Sequence, residues 1–188
     1  MSEVISAQER IKQAQGDIQR RWLNLIVESY PADASGFLKN QRNRFLNPVG
    51  ETLRIMTESV VGFLAGEVGV RESEAAIEEV VRIRAVQEFL PSQAVAFVFQ
   101  LKQVVRDCLG IPGEGSRNAD WLAIDTEIDR LALRAFDDYV RNRERIFEIR
   151  ANDLKRQSYL ASRRMESELN RAHDALDVST NLTTAEEA

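Results

Sequence analysis

The chain has one cysteine, one histidine, four prolines and nine glycines in 188 residues, and neither glycine nor proline occurs beyond Gly115. Each scarcity excludes a class of protein. Cys108 is alone and cannot close an internal disulfide, which fits a reducing compartment. His173 is the only histidine and no Glu-x-x-His pair exists, so a bundle di-metal site has no ligand set. A histidine-ligated haem has no candidate within the expected core either. The opening residues, MSEVISAQERIKQ, lack the apolar centre of a signal peptide. The apolar run Ala94 to Phe99 is far short of the ~20 residues needed to span a membrane. Glycine-rich phosphate loops, Walker sequences and serine elbows are absent. A net charge of −5 gives no broad basic surface for nucleic acid. The expectation is a cytoplasmic protein with no cofactor, no metal, no membrane span and no nucleic-acid partner.

What is present is helical patterning. With 44% hydrophobic and 29% charged residues, the chain can bury one core, and its fold class is expected to be all-α, a single helical bundle with a long C-terminal helix projecting from it. Ile11, Ile18, Trp22, Leu25 and Ile26 give an amphipathic helix from Ala7 to Tyr30, ended by Pro31. Ala32 to Leu46 reads as a short helix or irregular connection carrying Lys39, Arg42 and Arg44. Asn47-Pro48 is a cap followed by proline at the first helical position, opening a helix that buries Val49, Leu53, Met56, Val60, Phe63 and Leu64 and closes at Gly66 and Gly69. Ser73 is the expected cap of the next helix. Val81 to Val86 alternates like a strand but has no partner strand, so it is read as helix, with a break at Phe89-Leu90 before Pro91.

The segment from Pro91 to Leu109 is the most apolar of the chain. Ala94, Phe97, Val98, Leu101, Val104, Val105 and Cys108 share one helical face that Val95 and Phe99 widen, which predicts a central helix. Gly110 stops it, and Pro112, Gly113 and Gly115 make a loop. From Asp120 to Asp177 the residues are helix formers throughout. Leu122, Ile128, Leu131, Leu133, Phe136, Tyr139, Val140 and Phe147 are dense enough to pack on the bundle. Beyond Ile149 a narrower stripe remains, Leu154, Leu160, Ala161, Met165, Leu169, Ala172 and Leu176. Of these, Leu154, Ala161, Met165, Leu169, Ala172 and Leu176 are the candidate surface for a dimer or partner helix. The expected organisation is a helical domain over 1–150, a helix extension over 151–177 and an unordered tail over 178–188.

Chemistry is sparse. Glu78-Glu79, Asp125, Glu127, Asp129 and Asp137-Asp138 read as a solvated face, and Arg141, Arg143, Arg145 and Arg150 as partners in surface ion pairs. Cys108 reads as a small apolar residue, with a redox-sensing thiol as the sharper alternative. No nucleophile and base can be assembled, so no catalytic residue is assigned. Arg84, Gln87, Ser92 and Gln93 stand apart as polar groups in the most apolar neighbourhood. Either Ser92 and Gln93 serve first-turn donors while Arg84 pairs with an acid such as Glu88, or the four form a candidate pocket for a partner or ligand.

The words Arg84-Ala-Val-Gln87, Pro91-Ser92-Gln93-Ala94 and Leu101-Lys102, with Asn47-Pro48-Val49-Gly50 before them and Leu131-Ala-Leu-x-Ala-Phe136-x-x-Tyr139 after, resemble the RsbRD N-terminal domain family over about Trp22 to Ser162. The resemblance implies the input module of a stress-signalling RsbT co-antagonist, in a fold similar to a globin without haem. Such modules normally lead into a STAS domain that carries phosphorylated residues and recruits a switch kinase. With the last residue at Ala188, the expectation is a stand-alone member without that domain, and no phosphosite is carried over. The implied function is non-enzymatic regulation through protein-protein contacts, the protein being expected to homodimerise. The alternative is an accessory or assembly protein of an anaerobic or sulphur-metabolising redox complex.

Overall fold

The computed structural model describes residues 6–40, 45–111 and 119–186, and of residues 32–33, 39–40, 119–120 and 170–186 the backbone alone. Among the described residues the regular structure is entirely helical, in six helices: α1 (Ala7–Glu28), α2 (Ala32–Asn40), α3 (Pro48–Leu64), α4 (Val70–Val86), α5 (Pro91–Leu109) and α6 (Ala119–Glu186). The chain divides into two compact units, Met1–Arg143 and Glu144–Ala188.

Local chemistry explains most of the boundaries. Ser6 caps α1 by accepting a hydrogen bond from the Glu9 amide at 3.2 Å. Asn47 caps α3, its Oδ1 accepting from the Gly50 amide at 2.8 Å while its Nδ2 donates to the Leu38 carbonyl at 3.1 Å. Gly50 is required here, because a Cβ would fall 2.2 Å from Asn47 Nδ2. The alternating stretch Val81–Val86 is the last part of α4, as its helical lead-in implied. The expected cap at Ser73 is displaced: α4 begins one turn earlier with Gly69 as its cap, and the Ser73 hydroxyl donates to the Val70 carbonyl inside the helix. The tight turn through Gly66, at φ +77°, leaves the chain ready to re-enter a helix sooner than the serine signal suggested. At the end of α5, Gly110 at φ +60° lets the Ile111 amide reach back to Arg106, a left-handed stop of the expected kind.

The core of the first unit draws on α1, α3, α4, α5 and α6, with α1 and α5 meeting at its centre. On α1, Ile11, Ile18, Trp22 and Ile26 are completely buried, and α1 borders α2, α3 and α5. Its Trp22 stacks on Phe97 of α5 with ring centroids 6.2 Å apart and donates its indole N–H to the Phe97 carbonyl at 2.7 Å. The expected inner helix is therefore α5 with α1 beside it, not α5 alone. Phe99 does not widen the buried face; it is exposed, because it sits on the opposite side of α5 from Phe97, Leu101 and Val104.

The inward face of α6 in the first unit is Trp121, Ile124, Ile128, Leu131, Ala135 and Tyr139, a continuous series at spacings of three and four. Leu122, Leu133 and Phe136, expected to pack inward, are instead exposed, since the helix cannot bury both series at once. In the second unit, Leu154, Met165 and Leu169 are exposed and so is Ala161. The side chains of Ala172 and Leu176 lie outside the described residues, as do the loop read at Pro112, Gly113 and Gly115 and the basic residues Arg42 and Arg44. Helix α6 continues to Glu186, past the Val178 start of the expected unordered tail, in keeping with the lack of any helix-breaking residue after Gly115. No helix of the described residues is long and apolar enough to cross a membrane.

Replacing Trp22 with Phe keeps the stacked ring but removes the indole donor and some core volume. It should cost about 2 kcal/mol of stability, read as a lowered urea midpoint with unchanged helical signal.

Candidate functional site

The corner between α4 and α5, residues 84–94, collects the four polar residues singled out in the sequence. It forms because α4 runs out at Gln87, Glu88 adopts a left-handed conformation at φ +62°, and Pro91 starts the next helix. The Phe89 amide bonds back to the Arg84 carbonyl at 3.2 Å, the link expected when a left-handed residue closes a helix. A glutamate in that conformation costs about 1 kcal/mol relative to glycine, so tertiary contacts must hold it.

Arg84 is the main one. Its side chain is fully buried, yet no carboxylate pairs with it among the described residues, Glu88 included. Its guanidinium donates from one terminal nitrogen to the carbonyls of Gln93 at 3.0 Å and Ala94 at 3.5 Å, and from the other to the Ser29 hydroxyl at 3.0 Å. Three rings enclose it, with Cζ 4.7 Å from the Phe97 centroid, 5.0 Å from Phe89 and 5.2 Å from Tyr30. Burial lowers the guanidinium pKa, opposed by the Tyr30 phenol nearby. That phenol is not aligned for a hydrogen bond: the Tyr30 hydroxyl and Arg84 Nε are both buried without a partner among the described residues. Ser29 Oγ also donates to the Ile26 carbonyl at 2.6 Å. Arg84 thus joins the end of α1 to the first turn of α5.

The other three candidates are not brought into a pocket with it. Gln87, Ser92 and Gln93 are exposed at the corner. The Gln93 side chain accepts from the Leu90 amide at 3.3 Å, closing the first turn of α5 as one of the two sequence readings had it. Val86 and Leu90, also at the corner, expose apolar side chains.

Two residues of α6 grip the same corner. Tyr139 donates its hydroxyl to the Phe89 carbonyl, and Arg143 donates to the Ala85 carbonyl at 3.1 Å. Sequence reading placed Arg143 among surface ion pairs; the structure also gives it a carbonyl of a helix end, which no charge pattern can announce. Closer to the start of α6, Lys102 of α5 reaches Asp125 at 3.0 Å and Asp129 at 2.8 Å, and Arg106 lies over the Trp121 ring. These acids bridge two helices, so they are not a merely solvated face. Asp138, read the same way, is fully buried and takes ion pairs from Arg134 and Arg141 on its own helix. Cys108 is partly buried with Sγ 3.5 Å from Asp17 Oδ2, and burial followed by that carboxylate pushes its pKa up, keeping the thiol protonated. The described residues contain no group of three or more His, Cys, Asp or Glu able to hold a metal.

A family model, the RsbT co-antagonist protein RsbRD N-terminal domain, matches residues 16–154. The chain belongs to this family. No curated protein and no solved structure matches it. The match is a little displaced from the expected span and takes in the whole corner, its grips on α6, and Leu154 of the candidate stripe. It places this RsbRD N-terminal domain among regulatory input domains of stress signalling, which are not a known enzyme family.

Because the Arg84 charge is uncompensated, Arg84→Met should keep or raise the urea midpoint, whereas Arg84→Ala should lose about 2 kcal/mol or more by leaving a void. Lys102 gives a pH signature. Burial alone would lower its pKa, but Asp129 and Asp125 outweigh it and raise the folded value above 10.5. Its contribution is therefore fully present below pH 10.5 and is lost as pH climbs through the raised value. Lys102→Met should flatten that alkaline loss in urea midpoints measured across the range.

Proposed function

We propose that this RsbRD N-terminal domain is a non-enzymatic regulatory module of the cytoplasm that homodimerises and contacts a protein partner through α6. The observation that supports this most is the series of large apolar side chains left exposed along that helix. Leu133 and Phe136 are exposed in the first unit, and Leu154, Met165 and Leu169 in the second. Apolar residues repeated along one helix, outside any core of their own chain, are the usual raw material of helix pairing.

The corner supplies the input end of the mechanism. Arg84 ties α1 to α5, while Tyr139 and Arg143 tie α6 to the same turn. A partner or ligand pressing on the exposed Gln87, Ser92, Gln93 and Leu90 acts on carbonyls that α6 itself holds, and a displacement there is carried along the helix.

The test is Met165→Glu with Leu169→Glu in the intact chain, followed by light scattering on a sizing column. A dimer mass for the parent and a monomer mass for the double variant, with helicity retained, is the expected outcome. An identical mass for both proteins would remove the stripe from the mechanism.

A further inference from the structure

We infer that the first unit carries a small-molecule site, separate from the corner, that takes a compact, neutral, largely apolar ligand bearing one or two hydrogen-bonding oxygens. The site is a half-open cleft of about 680 Å³ between the start of α1, the end of α3, the start of α4 and the first turns of α6. Its volume falls in the roughly 300–1,000 Å³ range of small-molecule sites.

The walls are apolar. Leu64 and Ile124 form buried parts of the lining, Phe63 is partly exposed, and Val70 and Ala123 face solvent. Elsewhere the unit buries side chains of this kind completely, as at Ile18, Ile77 and Ile128, so an unfilled apolar hollow of this size stands out from its surroundings. The turn from α3 to α4 forms one boundary. Gly66, in a left-handed conformation, places backbone beside the Gln8 side chain, and Gly62 accepts Val68 where a Cβ would lie 2.7 Å from Val68 Cγ2. The compact turn brings Val70, the first residue of α4, round to the cleft.

Charge balance selects the ligand class. The only ionised groups in the lining are Glu127 and Arg130, and they are paired with each other. The two helix starts that open there carry Glu9 and Glu72 in their first turns, which oppose the positive ends of the helices. A charged headgroup would have to break a pair or meet an acid, whereas a neutral ligand loses nothing. Ser6, which already accepts from the Glu9 amide, keeps its hydroxyl hydrogen, and the exposed amide of Gln8 offers a donor and an acceptor. Those two residues account for the oxygen-bearing part of the ligand, and the remaining lining for its body.

The site deepens the regulatory reading by giving it a second input besides the corner, since four of the lining residues, Ala123, Ile124, Glu127 and Arg130, belong to α6. Binding itself can be tested without reference to α6 or to any partner. Nile Red, a neutral dye whose emission shifts to the blue in apolar surroundings, is titrated into the intact chain. The expected result is saturation at one dye per chain, at least tenfold weaker affinity in Ala123→Phe, which plugs the hollow from its exposed wall, and unchanged affinity in Met165→Glu. Val70→Ser, at an exposed first-turn position that tolerates serine, should weaken the dye several-fold and serves if the phenylalanine variant fails to fold. Equal binding by the parent and the cleft variants, loss of binding in Met165→Glu, or a cleft-dependent preference for the anionic dye anilinonaphthalene sulfonate would each overturn the assignment. Dye binding with no change of mass in the stripe variants would sink the dimer reading and leave the cleft standing.

Discussion

A desolvated guanidinium is the constraint around which the first unit is arranged. Taking an arginine out of water without a carboxylate costs several kcal/mol, and little at this position recovers it as ordinary packing would. Three neutral acceptors and three aromatic rings must converge instead: Gln93, Ala94 and Ser29 accept from the terminal nitrogens, and Tyr30, Phe89 and Phe97 surround the group. Each comes with an element attached. The end of α1, the first turn of α5 and the connecting turn are therefore fixed relative to one another by a single side chain of α4. Methionine at that position would be easier to bury, so arginine is better understood as specifying one arrangement of three helices than as adding stability.

Helix α6 is held at the same place by weaker but more numerous means. Its inward stripe is apolar from Trp121 to Tyr139, and polar grips stand near both ends of that stripe. Lys102 and Arg106 engage its beginning, while Tyr139 and Arg143 close on the corner. The second grip binds the Ala85 carbonyl at the end of α4, which that helix cannot satisfy for itself, and the Phe89 carbonyl in the turn that follows. A helix end capped by another helix makes the position of one depend on the integrity of the other, and that dependence is the physical content of coupling here.

Much of this was legible in the residues. Asn47-Pro48 and Gly110 marked helix ends by mechanisms that need only neighbours in the chain, and the break before Pro91 followed from a missing N–H. The words that carried the family resemblance turn out to be joints: the cap of α3, the two sides of the corner, and the stretch of α6 that ends in Tyr139. What could not be read were the choices that depend on distant partners. Ser73 was as good a local cap as Gly69, and only the tight turn at Gly66 decides between them. Leu133 and Phe136 looked as ready for the core as Leu131 and Ala135, since the phase of a helix is set by what it meets. Arg84 had Glu88 four residues away, the pairing that a helix surface favours. Its actual acceptor Ser29 lies 55 positions upstream, out of reach of any spacing rule. The cleft draws its lining from residues 6–8, 63–70 and 123–130, and no window of sequence contains it.

A helix can transmit only if something it touches has two arrangements of comparable energy. The corner has two features that bear on that condition. Glu88 is held in a conformation that a non-glycine residue resists, and both Arg84 Nε and the Tyr30 hydroxyl are buried without a partner among the described residues. Relaxing Glu88 would release the Phe89 carbonyl from Tyr139 and the Ala85 carbonyl from Arg143, while the guanidinium retained Ser29 and could turn its idle N–H toward the phenol. The helix core on either side, sealed by Trp22 and Phe97, would be undisturbed. A strained turn that stands beside a rigid core, and that α6 touches through Tyr139 and Arg143 besides its apolar stripe, is a place where a small binding energy can act without unfolding the core.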